Sequence, residues 1–396
     1  MSAKQWGGFW LQFLPAFVAG LFVAGITIPG SSLWPWWPNM IDLDVYRRTG
    51  AGLLAGTDIY AAEGLPWIYP PFAAFFTVPL ALVPLLVARL FWIGLCVVLL
   101  QAILYRLGLR GWVLSAATTA AVLLAEPVRE TIGFGQLGAL LVAAAVLDSM
   151  PGERLFRRRL LPEGTLVGLA TAVKLTPATV AAYQFFAGRR RPGLVAFVTF
   201  VAATLLALAV MPAGSISYWG GLLSGDSGIN SGITFYTNQS VMGMWARLFG
   251  ELSRGGLVAS AVVALVGIAS AVLVHRAGEE RLALVVAGLT SLLASPISWS
   301  HHYVWVVPLL ALLVLDRGLN LSLRVAGILY GIWVAAAPFK VLPGGDGVEL
   351  TYAPWQHVLD NLGIVAGFCF VVACGLLAWR ARRGDSTALR RPVLAS

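Results

Sequence analysis

The sequence predicts an all-α integral membrane protein with about 12 transmembrane helices, some of them short or broken, and with extracytoplasmic loops that form a shared site. Of its 396 residues, 59% are hydrophobic and 11% are charged. The mean hydropathy of +0.82 is too high for an ordinary soluble domain. The net charge is +9, but the basic residues lie in short clusters between apolar runs. This pattern indicates membrane topology and not nucleic-acid binding.

The first apolar run covers residues 9–28. A run of about 20 residues is long enough to span a bilayer, and no clear signal-peptide cleavage site follows it. We therefore expect it to remain as an anchor. Cys96, Cys369 and Cys374 all lie inside apolar runs. Their placement argues against a disulfide framework and against a thiolate metal site.

Arg-rich turns are typically cytoplasmic, and we use this rule to orient the chain in the membrane. The loop after the first helix is then outside and Arg106 is inside, so the chain between them must cross the membrane an odd number of times. Residues 72–105, however, are long enough for two helices. We therefore predict one crossing near 89–105, preceded by a piece that is broken at Pro79 and Pro84.

Residues 164–188 begin and end beside basic clusters, so both ends are predicted on the cytoplasmic side. The chain must therefore enter the membrane and return to the same side within about 25 residues. Two short helices that meet near Lys174 and Pro177 satisfy this requirement. Broken helices of this kind are tolerated where the freed backbone groups face protein or a wet cavity.

The remaining membrane crossings bring the total to about 12, with both termini on the cytoplasmic side. They are predicted near 112–127, 137–149, 193–211, 257–274, 282–297, 303–315, 322–338 and 361–379.

We predict one polytopic domain over 1–396, with a catalytic module at 1–211 that carries outer loop 30–71. The helices of 212–396 are the more variable part and carry outer loops 212–256 and 339–360.

The unusual polar strings then all fall on the outer side, which indicates one shared site. They are IDLDVYRR, WIYPPF, EPVRETIGFGQ, the turn at Lys174, FYTNQS, SPISWSHHYVW and the loop at 339–360. No phosphate-binding glycine motif follows a strand, so a lipid-linked substrate is favoured over a nucleotide sugar.

The order of motifs resembles the polyprenol-phosphate-mannose-dependent mannosyltransferases of actinobacteria. The motifs are DLxVY, LLAGxxxY, YPPF, GQ, GLAxAxKLTP, NQS and SPISWSHH, and they cover about residues 40 to 310. KLTP and SPISWSHH are the most specific. One departure is Gly138, where relatives often have Asn two residues after the GQ pair.

The resemblance implies a glycosyltransferase of the GT-C type at the outer face of the cytoplasmic membrane. The donor would be polyprenyl-phosphate mannose and the acceptor a phosphatidylinositol mannoside, extended through an α-1,2 linkage. We expect a monomer among membrane lipids, with no cofactor and no metal. A lipomannan-branching or arabinofuranosyl transferase is the alternative within the class. A secondary transporter or flippase of a lipid-linked or envelope substrate is the alternative outside it. A transporter would show an internal repeat that we do not find.

Sugar transfer from a phosphate to an alcohol needs a base for the hydroxyl proton and cations for the leaving phosphate. Asp42 matches the aspartate of the family in the loop after the first helix and is the candidate base, with Asp44 second. Inversion at a β-linked donor would need one base and no covalent intermediate. Lys174 is the candidate phosphate ligand, with a structural ion pair as the alternative. Arg129 could also bind the phosphate, or pair with Glu126 and Glu130.

His301 and His302 are candidates for hydrogen bonding to the donor phosphate or the acceptor sugar, and either could be catalytic. Adjacent helical positions point about 100° apart, so the pair makes a poor metal site. Further candidate substrate ligands are Tyr46, Arg47, Arg48, Tyr69, Gln136, Asn238, Gln239 and Trp299. The two arginines could equally form a solvated interfacial surface, and Trp299 could belong to an aromatic belt.

Overall fold

The computed structural model describes residues 3–25, 40–61, 64–156, 158–224, 232–250, 254–385 and 387–391. Within these residues the regular structure is helical, and the only β interactions are two isolated bridges. The α-helices are α1 (Ala3–Leu11), α2 (Leu14–Val23), α3 (Ile41–Ala55), α4 (Val78–Ala81), α5 (Leu85–Leu107), α6 (Gly111–Leu124), α7 (Glu126–Phe134), α8 (Gly138–Ser149), α9 (Thr165–Val173), α10 (Ala178–Ala187), α11 (Arg190–Val210), α12 (Pro212–Ser224), α13 (Val241–Phe249), α14 (Arg254–Arg276), α15 (Glu280–Ala294), α16 (Val306–Leu315), α17 (Leu321–Ala336) and α18 (Pro354–Arg382). The predicted all-α class is confirmed.

Five helices of the described chain are long and apolar enough to cross a membrane. They are α5, α11, α14, α17 with the turn that extends it to Val341, and α18. The bent pair α6 and α7 makes a sixth if it counts as one span. Several other apolar runs form shorter helices, among them α8 and the segment Ser300–Leu315. The structure therefore supports a multi-pass membrane protein, while the count of about 12 crossings stays a prediction.

Two broken segments agree with the sequence prediction. A 3₁₀ helix at Pro71–Thr77 and the short α4 precede α5, whose first turn follows an extended Pro84. The second break separates α9 from α10, because Lys174 is extended at φ −153° and Pro177 begins the next helix. Proline removes a backbone donor and favours a helix start, which explains both positions.

The crossing predicted near 112–127 coincides with α6, and the structure adds a bend at its end. The chain turns at Ala125, where α6 ends, and α7 leaves at 76° to it. Pro127 lies in the first turn of α7, where the missing N–H costs no hydrogen bond. The polar string at 126–136, which we expected in an outer loop, is thus mostly a short helix. Of the predicted first span, residues 26–28 lie outside the described residues.

The helix α15 lies at the centre of the molecule, since its residues from Leu282 to Leu293 are all buried. Gly288 makes this packing possible, because a Cβ added there would lie 2.2 Å from the ring of Trp305. Trp305 ends the 3₁₀ helix Ser300–Trp305, which contains both adjacent histidines. The core thereby fixes the histidine-bearing turn against a rigid helix.

Candidate active site

Asp42 lies in the first turn of α3, and an unusual backbone places it there. Met40, the residue before α3, is buried and has φ 51°, a left-handed conformation that is uncommon for a residue other than glycine. Its amide donates to the carbonyl of Gly133 at the end of α7. Non-glycine residues are held in this region mainly where the surrounding structure imposes it, often beside functional sites.

Gly135, with φ 78°, allows α3 to approach the junction between α7 and α8. A Cβ added at Gly135 would lie 2.7 Å from the Cβ of Leu43, closer than real side chains approach. Only glycine fits both the backbone conformation and the space. The GQ motif therefore brings Gln136 next to Asp42.

A hydrogen-bonded group of polar side chains surrounds Gln136. The hydroxyls of Tyr46 and Tyr69 lie 3.1 Å apart, and both donate to Gln136 Oε1, at 3.4 and 3.0 Å. Because Gln136 Oε1 accepts from the tyrosines, the NH₂ group of its amide is the donor available for its hydrogen bond to the Asp42 carboxylate. Trp67 packs against both tyrosine rings. Three separate motifs of the sequence thus meet at one carboxylate.

The electrostatic environment of Asp42 suits a proton acceptor. Burial raises the pKa of its carboxyl, and the neighbouring His301, Gln136 and Lys174 oppose that rise. A carboxylate with a raised pKa is a stronger base than an ordinary aspartate. Asp44 lies about 200° further around α3, so it does not share the face of Asp42. This geometry supports Asp42 as the base.

Lys174 contacts His302 at the break between α9 and α10. Its Nζ lies 2.8 Å from His302 Nε2 and 5.5 Å from the centre of the Tyr69 ring. No carboxylate of the described residues lies within 4 Å of Lys174, so the structural ion pair considered from sequence does not form there. When a charged Lys174 donates to Nε2, the imidazole of His302 carries its proton on Nδ1. That Nδ1 is buried and has no hydrogen-bond partner in the described part of the chain.

Lys174 and His302 form the polar end of a small cleft, part of which is open to the surroundings. Its walls are mainly apolar side chains of α8, α10 and α15, with Trp305 beside them. A cation at one end of an apolar cleft matches a phosphate attached to a hydrocarbon chain.

Gly138, the departure from the resemblance, lies at this cleft and is tightly packed. An added Cβ would lie 2.9 Å from both Thr131 Oγ1 and Val304 Cγ2. A larger residue here requires neighbours to move.

His301 lies in a different environment from His302. Its Nδ1 is 3.8 Å from Glu130 Oε2, and its backbone oxygen accepts a hydrogen bond from Thr131. Glu130 also accepts from Ser300 Oγ at 3.0 Å and from Lys340. The sequence analysis missed Lys340 entirely.

Comparison with known proteins places this architecture in a family. The family model for glycosyltransferase family 87 matches residues 67–296, more than half of the chain. This chain belongs to glycosyltransferase family 87. It is therefore a glycosyltransferase, and no solved structure matches it.

The family 87 chain has curated relatives in mycobacteria. It is 31% identical to a polyprenol-phosphate-mannose-dependent alpha-(1-2)-phosphatidylinositol mannoside mannosyltransferase of Mycolicibacterium smegmatis, over 94% of this chain and 92% of the relative. A protein of the same description from Mycobacterium tuberculosis is 30% identical over 89% and 88%. A pentamannoside mannosyltransferase of M. tuberculosis, with the same donor in its name, is 35% identical over 73% and 70%.

Several candidate ligands of this family 87 chain are instead bound to protein groups. Arg47 donates from Nε to the carbonyl of Leu80 at 3.0 Å and from Nη2 to that of Val83 at 2.8 Å. It fastens α3 to the turn before α5. Arg48 is exposed, with its guanidinium near Gly64. Arg129 donates to the carbonyl of Leu123 at 3.0 Å.

Asn238 and Gln239 form an internal support. Asn238 is 0% exposed; its amide donates to the Ile233 carbonyl and accepts from the Ser298 amide. Gln239 donates to Asp360 in α18. Trp299 follows Ser298 in the chain, and the centre of its ring lies 6.1 Å from the centre of the Phe235 ring. These contacts position the histidine-bearing turn.

The described residues contain no group of three or more His, Cys, Asp or Glu side chains that could hold a metal ion. The expectation of metal-independent transfer stays a prediction.

Proposed function

We propose that this chain transfers mannose from a polyprenyl-phosphate mannose to a phosphatidylinositol mannoside and forms an α-1,2 linkage. Relatives of that description cover almost its whole length. The observation that carries the proposal is the placement of a half-buried carboxylate, Asp42, near a phosphate-type ligand pair, Lys174 and His302, with Tyr69 beside both groups.

In the proposed reaction, a hydroxyl of the acceptor mannose attacks the anomeric carbon of the donor. The hydroxyl proton passes to Asp42, the new carbon–oxygen bond forms, and the bond from the anomeric carbon to the phosphate oxygen breaks. Lys174 and the Nδ1–H of His302 stabilise the negative charge on the departing phosphate. Attack on the opposite face inverts a β-linked donor to an α product, so no covalent intermediate is needed.

The proposal includes a location and an organisation. The site would face the extracytoplasmic side of the cytoplasmic membrane, because the basic clusters of the sequence lie between spans on the other side. The chain would act as a monomer of GT-C type with one polytopic domain, and the apolar cleft at Lys174 would receive the hydrocarbon chain of the donor.

Transfer by purified protein tests the proposal. Radiolabelled mannosyl-phosphoprenol is incubated with defined phosphatidylinositol mannosides, in EDTA, and products are digested with an α-1,2-specific mannosidase. We expect one added, mannosidase-sensitive residue. Transfer from an arabinosyl-phosphoprenol but not from the mannosyl donor would reject the donor. Activity that EDTA abolishes and Mg²⁺ restores would reject the metal-free mechanism.

A further inference from the structure

Glu130 joins two groups that are far apart in the sequence. Its Oε1 accepts from Lys340, while its Oε2 accepts from Ser300 and lies 3.8 Å from Nδ1 of His301. Glu130 is 2% exposed, and Lys340 also lies 2.6 Å from Glu126 Oε1. A buried carboxylate that is fixed on both oxygens has one available orientation.

The backbone that delivers Lys340 is held in an uncommon conformation. Ala337, three residues earlier, has φ 46° and is buried. A 3₁₀ helix at Pro338–Val341 then turns the lysine towards α7. Left-handed alanine is unfavourable, so the surrounding contacts must impose it.

His301 has one nitrogen facing Glu130 and one nitrogen without a partner. Its Nε2 is buried and makes no hydrogen bond within the described residues. The ring interacts electrostatically with Asp42 and packs edge-on against His302 at 4.7 Å. A carboxylate beside Nδ1 favours the tautomer with the proton on Nδ1, which leaves a lone pair on Nε2.

We propose that Glu130 is a positioning residue for His301. Held in place by Lys340, it fixes the imidazole so that Nε2 accepts a hydrogen bond from a sugar hydroxyl beside Asp42. The separation of 3.8 Å exceeds a hydrogen bond, and such contacts tighten when substrate is bound. The inference deepens the proposed function and rests on it for the identity of the hydroxyl.

Glu126 supplies a matched control for Glu130. Glu126→Gln makes the same isosteric change in the same helix and the same cluster, but Glu126 has no described hydrogen bond to Ser300 or His301. Glu130→Gln leaves Lys340 paired with Glu126, so a folded protein is expected. We expect Glu130→Gln to lower kcat for mannosyl transfer by about tenfold or more, with a smaller change for Glu126→Gln.

A double-mutant cycle separates positioning from a general structural role. In a His301→Ala background, Glu130→Gln should cause almost no further loss, because its effect passes through the imidazole. Equal losses with and without His301, or equal losses for the two glutamate variants, would overturn the inference.

The tautomer can be read without any substrate, since the chain has only four histidines. In ¹⁵N-histidine-labelled protein in lipid, single His-to-Gln variants assign the signals. We expect His301 with its proton on Nδ1, and a shift towards a mixture in Glu130→Gln. An unchanged His301 signal would overturn the inference. A wild-type protein that shows this tautomer but does not transfer mannose would instead reject the proposed function alone.

Discussion

At the scale of single residues, the site separates two charges that the reaction needs at different moments. Asp42, the proposed proton acceptor, belongs to the Gln136 and tyrosine group. Lys174, the proposed phosphate ligand, contacts His302. Tyr69 touches both groups, with its hydroxyl on Gln136 and its ring near Lys174. Asp42 and Lys174, both in the described part of the chain, form no ion pair within 4 Å.

Asp42→Asn should reduce transfer by on the order of 10² or more, because an amide cannot accept the hydroxyl proton. Folding and donor binding should persist, since the change is isosteric. Asp44→Asn removes the same charge from the same helix and should retain most activity. Turnover measured for both decides the assignment, and a larger loss in Asp44→Asn would transfer the role of base to that residue.

The acidic limb of the activity–pH profile should have its midpoint at a higher pH than the pKa of an ordinary aspartate. Burial raises the pKa of Asp42, and the base works only when deprotonated. Activity should therefore rise with pH through that raised pKa and be lost below it. The measurement is kcat/KM against pH. An acid limb at or below the usual aspartate value, about 3.9, would contradict the assignment.

Removing the Lys174 charge should weaken donor binding more than acceptor binding. Hydrogen bonds to charged groups contribute about 1.5–3 kcal/mol, so donor affinity should fall by about tenfold or more in Lys174→Gln. The protein should remain folded, because no described carboxylate is left alone within 4 Å. Arg190→Gln, at an exposed position, is the matched loss of one positive charge. Unchanged donor affinity in folded Lys174→Gln would reject the phosphate role.

At the scale of helices, the breaks do more for the site than the long spans. Asp42 begins α3, Gln136 lies between α7 and α8, and Lys174 lies between α9 and α10. The backbone groups that are freed at a helix junction need polar surroundings. The junctions between short helices are therefore where polar site residues can gather, whereas an uninterrupted membrane helix would present mainly apolar side chains.

Gly135→Ala should displace α3 and lower activity. The added Cβ would overlap with Leu43, and a shift of about 1 Å at a catalytic group can cost about 10²-fold in rate. Gly188→Ala provides the control, since Gly188 also has positive φ but no atom within 4 Å of an added Cβ. Both variants should share the conformational penalty in thermal unfolding. Equal activity in the two would mean that the close approach of α3 does not matter.

The sequence predicted elements whose signals are local. The break at Lys174 follows from nearby basic clusters and Pro177, and KLTP marks it directly. The bend after α6 was not predicted, because residues 112–125 are mainly apolar and Pro127 also suits a first turn. Lys340 was missed for another reason: its partners Glu126 and Glu130 lie more than 200 positions away. Only tertiary packing brings such residues together.

At the scale of the whole molecule, the predicted orientation in the membrane can be tested by cysteine labelling. Single cysteines replacing Asp58 or Asp346 should react with an impermeant reagent from outside, and those replacing Arg154 or Arg190 should not. All four positions are exposed, and the background would lack Cys96, Cys369 and Cys374. Labelling of the arginine positions from outside in intact cells would reverse the orientation and relocate the site.

The spread of the site along the chain has a consequence for biosynthesis. Asp42 and His302 are 260 positions apart, and the ribosome adds about 5–20 residues per second. The carboxylate is thus made about 10 to 50 seconds before the imidazole that contacts Lys174, and Lys340 follows later still. During that interval the nascent chain contains Lys174 without the histidine that contacts it. A chain that terminates in this interval lacks one of the two groups proposed to bind the donor phosphate, so we expect it to be inactive.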